Sequence, residues 1–118
     1  MWAVELTSEF ETWWDGLTER EQARVDAAVE VLREVGPGLG RPYVDTVRGS
    51  RHRNMKELRP RGGHLRVLFA FDPRRTAVLL LGGDKSDQWQ SWYDTAISRA
   101  DERYDEHVAD LRRKGLIR

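Results

Sequence analysis

Nine basic side chains crowd into residues 47–75: Arg48, Arg51, Arg53, Lys56, Arg59, Arg61, Arg66, Arg74 and Arg75, against two acidic ones, Glu57 and Asp72. Eight of the nine are arginine, whose planar guanidinium meets a phosphate through two parallel hydrogen bonds where lysine offers a point charge. The chemistry this suggests is the binding of a polyanion across the middle of the chain. The plainer alternative is a solvated basic face that balances residues 1–36, which hold nine acidic and three basic side chains. His52, flanked by Arg51 and Arg53, adds a group that titrates near neutrality. Two adjacent cations disfavour its imidazolium, so a neutral ring that accepts a proton or a hydrogen bond is expected. His64, in a glycine-rich turn, is read as solvent-facing, and His107 as remote from function.

These residues need a frame. The chain has 118 residues and a formal net charge of zero, which suits one domain over residues 1–118. It has no cysteine, so disulfides and thiolate metal sites are excluded, and neither metal nor cofactor is expected. No apolar run approaches the roughly 18 residues of a membrane-spanning helix, and the acidic N-terminal stretch is unlike a signal peptide. The expectation is a soluble cytoplasmic protein without a membrane partner.

The basic residues sit in and around Asn54–Asp84, whose three runs rich in Leu, Val and Phe are separated by the turn clusters Arg61-Gly62-Gly63-His64 and Asp72-Pro73-Arg74-Arg75. This predicts a three-stranded antiparallel meander. Alternation puts Leu65, Val67, Phe69 and Phe71 on one face and Arg66, Leu68 and Ala70 on the other, so Arg66 is expected to project from an open face. Ala77–Leu81 is apolar throughout, as a strand covered on both sides or paired centrally would be, and Gly82-Gly83 reads as a flexible exit that returns Lys85 to Arg66. Upstream, Trp2, Val4 and Leu6 alternate as a short edge strand. Ser8 with Glu11 and Thr18 with Glu21 have the spacing of capping boxes for two helices, the second carrying a Val25, Ala28, Val29, Leu32, Val35 stripe. Residues 36–53 read as a long connecting loop. From about Asp87 to Lys114 a stripe of Trp89, Tyr93, Ala96, Ala100, Tyr104, Val108 and Leu111 predicts one long helix stopped by Gly115. The fold class is α+β: a small antiparallel sheet, of an N-terminal strand and the meander, packed by two N-terminal helices and followed by a long C-terminal helix.

The order of these elements, with "KELR", "LRVLFAF" and "VLLLGGDKS", resembles the RelE/ParE superfamily of toxin–antitoxin toxins, in its RelE/HigB-like branch, over roughly residues 2–110. The resemblance implies a RelE-like fold and a metal-independent mRNA endoribonuclease that acts on translating ribosomes, inhibits growth and is silenced by a cognate antitoxin. That partner is expected to be a helix-turn-helix protein, with operator DNA reached only through it. Lys56, Glu57 and Arg59 fall on the family's Glu-Leu-Arg strand, Arg66 on its central arginine, Lys85 on the basic residue after the last strand, and Tyr93 near a functional aromatic hydroxyl. Members of this branch commonly carry two lysines and a threonine after the last strand; here Asp84 replaces the first lysine and Ser86 the threonine.

Metal-free RNA cleavage uses the adjacent 2′-hydroxyl as nucleophile. It needs a proton acceptor, cations against the charge developing on the phosphoryl oxygens, and a donor for the leaving 5′-oxygen. Arg66 is assigned to the phosphate, with Arg59 and Lys85 assisting; Tyr93, Lys56, Glu57 and His52 compete for the proton transfers, with Glu57 equally a counter-ion for the arginines. Arg48, Arg51, Arg53, Arg61, Arg74 and Arg75 are expected to bind the RNA backbone and Trp89 to stack on a base. A gyrase-directed poison of the ParE type, an inactive operon corepressor and a plain RNA-binding module stay open beside this.

Overall fold

The computed structural model describes residues 1–86 and, with 89 and 90 as backbone alone, 89–118. Strand β1 (Val4–Leu6) leads into helices α1 (Ser8–Asp15) and α2 (Glu19–Val35). A single 3-10 turn (Gly36–Gly38) precedes β2 (Val44–Thr46), β3 (Lys56–Leu58), β4 (Leu65–Phe71) and β5 (Ala77–Asp84), and α3 (Trp89–Arg113) follows. The strands form one sheet in the order β1-β5-β4-β3-β2. The α+β class holds, and β3, β4 and β5 pair antiparallel as a meander.

Two sheet features depart from expectation. β1 pairs parallel to β5, so the sheet is mixed, because the chain leaves β1 through α1 and α2 and returns along the opposite edge. β2 lies inside the stretch read as a loop, pairing antiparallel to β3 with Asp45 opposite Glu57. Its three residues were hidden among the glycines and prolines around them.

The alternation of β4 is realised on both faces. Leu65, Val67 and Phe69 join Phe10, Val25, Ala28 and Leu32 in the core under α1 and α2. Leu68 and Ala70 join Val78, Leu80, Ala96, Ala100 and Tyr104 in a second core under α3. The second face is therefore covered rather than open over most of its length. The predicted stripe of α3 is what covers it, from Ala96 to Leu111. The predicted start at Asp87 lies outside the described residues. Gly115, with φ of 72°, ends the helix, and Leu116 donates its N–H to Leu111.

Thr18 and Glu21 form the expected capping box on α2. On α1 the cap is Thr7 rather than Ser8: its hydroxyl accepts from the Phe10 N–H and donates to the Leu80 carbonyl, tying the helix start to β5. Gly82 and Gly83 are not an exit but the last turns of the pleat in β5. A Cβ at Gly82 would collide with the ring of Trp13 on one face, and one at Gly83 with Trp92 on the other. The two glycines seat one tryptophan each.

Candidate functional site

Glu57 is a carboxylate at 1% exposure inside the sheet, on the face under α3. Its Oε1 lies 3.0 Å from Arg59 Nε, which donates to it, and 3.1 Å from Arg66 Nε, an ion pair outside hydrogen-bond geometry. Its Oε2 is buried and has no hydrogen-bond partner among the described residues. Alternation explains the convergence. Arg59 and Glu57 are two residues apart, and Arg66 is two from Leu68, which pairs with Glu57, so all three side chains share one face.

Arg66 is 12% exposed and its Nη1 donates to the Leu65 carbonyl at 2.7 Å. It does not project from an open face, as expected, but lies against the sheet. Burial lowers its guanidinium from the ordinary value; the Glu57 carboxylate opposes this and Arg59 adds to it. The ladder continues past Asp84: Lys85 donates its N–H to the His64 carbonyl, which sets the lysine beside this end of β4. Burial lowers the Lys85 ammonium, and the nearby Arg66 lowers it further. The Ser86 hydroxyl, and then the Ser86 N–H that Asp84 turns to accept, hold the Asp84 carboxyl below the usual range.

Next to this cluster a cleft of about 310 Å³ opens between β2 and the first turns of α3. Arg59 reaches it from one side, Tyr93, Asp94 and Ile97 from α3, and Asp45, Thr46 and Arg48 from β2 and its exit. Arg59 also bridges to Asp45 at 3.3 Å, and Asp45 is held by Arg41 at 2.9 Å. The Tyr93 ring stands edge-on to Trp92, whose indole fills the space over Gly83. The cleft wall carries two acids, Asp45 and Asp94, two arginines, Arg48 and Arg59, and one aromatic hydroxyl; with the Arg66 and Lys85 cations beside it, this set can meet a phosphodiester and orient a proton transfer.

The other proposed residues are dispersed. Lys56 pairs with Phe69 and points to the opposite face of the sheet, its Nζ 3.3 Å from Thr46 Oγ1, because adjacent residues of a strand cannot share a face. His52 lies 2.8 Å from Asp105 and edge-on to Tyr104, on the C-terminal half of α3 and away from the cleft. Arg51 is bound to Asp105 and Arg74 to Asp72 and Glu5, so both are structural ties. Arg53 and Arg75 are exposed, and Arg61 opens onto another groove. The side chain of Trp89 lies outside the described residues. His107, read as remote, is partly buried and lies 2.8 Å from Asp72. Asp45, Thr46 and Asp94 were missed; the Val-Asp-Thr-Val run at 44–47 was the one available signal of a strand that would carry the first two. Among the described residues no three His, Cys, Asp or Glu are grouped as a metal ion would need.

A family model described as Phage derived protein Gp49-like matches residues 12–105. Toxin HigB2 of Mycobacterium tuberculosis is 53% identical over 102 residues, 84% of this chain, which spans 51% of that relative's length. Toxin HigB3 of the same organism is 50% identical over 107 residues, 91% of this chain and 94% of the relative. Among solved structures, isolated E. coli RelE aligns with a TM-score of 0.61 at 12% identity, covering 84% of this chain and 98% of that one. RelE in the RelE–RelB complex of Pyrococcus horikoshii aligns with 0.59 at 15% identity, covering 73% and 97%. These likenesses carry the fold. The chain belongs to the Phage derived protein Gp49-like family, alongside HigB toxins and with a RelE-like fold.

Proposed function

We propose that the chain is the toxin of a type II toxin–antitoxin pair and cuts mRNA on the translating ribosome without a metal. The carrying observation is the gathering of Arg59, Arg66 and Lys85 around buried Glu57, beside a cleft walled by Tyr93. Arg66 and Arg59 stabilise the charge that develops on the phosphoryl oxygens, and Glu57 holds both guanidinium groups in place. Lys85, whose ammonium gives up its proton more readily than an ordinary lysine, suits the donor role at the leaving 5′-oxygen. Tyr93 faces the other proton transfer, from the 2′-hydroxyl. A ribosome that presents the codon supplies the orientation that so small a cleft lacks. Family membership supports a cognate antitoxin as partner, of helix-turn-helix type, with operator DNA contacted through it.

A second reading, a non-cutting corepressor or gyrase poison, is favoured by one observation: Arg66 is mostly buried and already engaged. A short induction without antitoxin, followed by sequencing of RNA 5′ ends, separates them. Wild type is expected to give new ends within coding regions, and Arg66→Ala to lose them by about 100-fold or more, as when an oxyanion donor is removed. Undiminished cleavage by Arg66→Ala would overturn its assignment. Growth arrest without new ends would mark a gyrase poison, and no arrest a corepressor.

A further inference from the structure

On the other side of the sheet from the cleft, a groove of about 430 Å³ runs between α2 and the turn after β3. Arg20 and Arg24 project into it from α2 and Arg61 from the turn. None of the three makes an ion pair or hydrogen bond among the described residues, and no acidic side chain lines the groove. Six other arginines, Arg33, Arg41, Arg51, Arg74, Arg99 and Arg103, each have a carboxylate. Arg48, Arg53 and Arg75 are unpaired among the described residues but share no groove with one another; what sets Arg20, Arg24 and Arg61 apart is that all three line one groove. The Arg24 guanidinium lies along the Gly62-Gly63 turn, with Nη1 3.1 Å from where a Cβ of Gly63 would stand, beside the turn that carries Arg61.

The floor is apolar and shallow. Ala23 and Ala27 are exposed and stand one turn apart on α2, with Tyr43 along the wall. A phosphate backbone has no use for methyl groups, whereas alanines at this spacing let a second helix approach closely and bury its own apolar ridge. We propose that this groove docks an acidic amphipathic helix of a partner protein, its apolar ridge on Ala23 and Ala27 and its carboxylates on Arg20, Arg24 and Arg61. The inference concerns this surface and holds whether or not the chain cuts RNA.

The test is fluorescence anisotropy with a fluorescein-labelled amphipathic peptide of Leu, Ala and Glu, about 20 residues long so that it can hold a helix. A labelled single-stranded RNA is titrated in parallel. The wild type is expected to bind the peptide, more weakly as salt rises, and Arg20→Glu/Arg24→Glu to bind it about tenfold more weakly or worse. Ala27→Trp fills the groove at constant charge and is expected to weaken binding likewise. All these positions lie on the solvent side of α2, and circular dichroism verifies the fold. No peptide binding by the wild type, or equal binding by the charge-reversed variant, overturns the inference. A loss of RNA binding in the same variants, with the peptide unaffected, also overturns it and gives the groove to RNA.

Discussion

Two buried carboxylates, Glu57 across from the middle of β4 and Asp72 just beyond its end, each collect cations, and they do so differently. Asp72, in the β4–β5 turn with its side chain at 0% exposure, is saturated. Its Oδ1 accepts the N–H groups of Arg74 and Thr76, and its Oδ2 accepts Arg74 Nε and Nη2 and lies 2.8 Å from His107. Glu57 puts two arginines on one oxygen and leaves the second without a hydrogen-bond partner among the described residues. A saturated cluster is a staple: it joins the hairpin to α3 through His107 and to β1 through Arg74 and Glu5. An unsaturated one keeps bonding capacity beside a cleft, at a desolvation cost of about 1–3 kcal/mol that packing alone does not require.

The largest effect that would separate them is on stability at the staple. Asp72→Asn is expected to cost about 3 kcal/mol, since Arg74 and His107 lose a buried charge, while activity per folded molecule is unchanged. Urea unfolding measures the first and RNA cleavage at matched folded concentration the second. The same group sets an acid limit. Burial alone would raise the Asp72 carboxyl, but hydrogen bonds from His107, Arg74 and Thr76 outweigh it and bring it below its ordinary value. Its contribution is complete above the unfolded pKa of about 4 and is lost as pH falls through the lower folded value. Acid unfolding of the wild type should therefore steepen below about pH 4, and Asp72→Asn should flatten that limb.

Smaller in stability, and aimed at the unsaturated cluster, is Gly83→Ala. Overpacking against Trp92 should cost about 2 kcal/mol and shift the adjacent Tyr93, so cleavage falls beyond what stability explains. Gly82→Ala presses Trp13 on the far face and serves as the control, costing similar stability with cleavage retained. The smallest stability change belongs to Glu57→Gln, about 1 kcal/mol, because the amide keeps one acceptor for Arg59 and Oε2 makes no bond to lose. Its cleavage rate should nonetheless drop about tenfold as the two guanidinium groups lose their anchor. Equal unfolding costs for Glu57→Gln and Asp72→Asn would erase the distinction between staple and site.

Local spacing made much of this legible. The period of two in β4 placed Val67 and Phe69 on one face and Arg66 on the other, and the period of α3 named the residues that cover the second face. Parity spoke only for Arg66; Lys85 was expected to return through a flexible glycine exit, whereas the continuing β5 ladder is what sets it there. Three things were opaque because each depends on a partner far away in the chain. β2 is three residues whose strand state comes from pairing with β3. The parallel direction of β1 depends on where α2 delivers the chain. The glycines of β5 looked like a hinge because the tryptophans that need their space lie about 70 residues upstream and 9 downstream.

The arginines divide along the same line. Composition and order established that the middle of the chain is cationic and that strands there alternate, since charge and periodicity are properties of residues taken in sequence; the resemblance to RelE/HigB toxins rested on the motifs "KELR", "LRVLFAF" and "VLLLGGDKS". Which arginines are neutralised is a matter of distance in space. Arg51 and Arg74 meet acids of α3, the β4–β5 turn and β1, whereas Arg59 and Arg66 share a single oxygen of Glu57 and Arg20, Arg24 and Arg61 meet none. Coulombic pairing falls off over a few ångströms, so only folding could sort one kind from another.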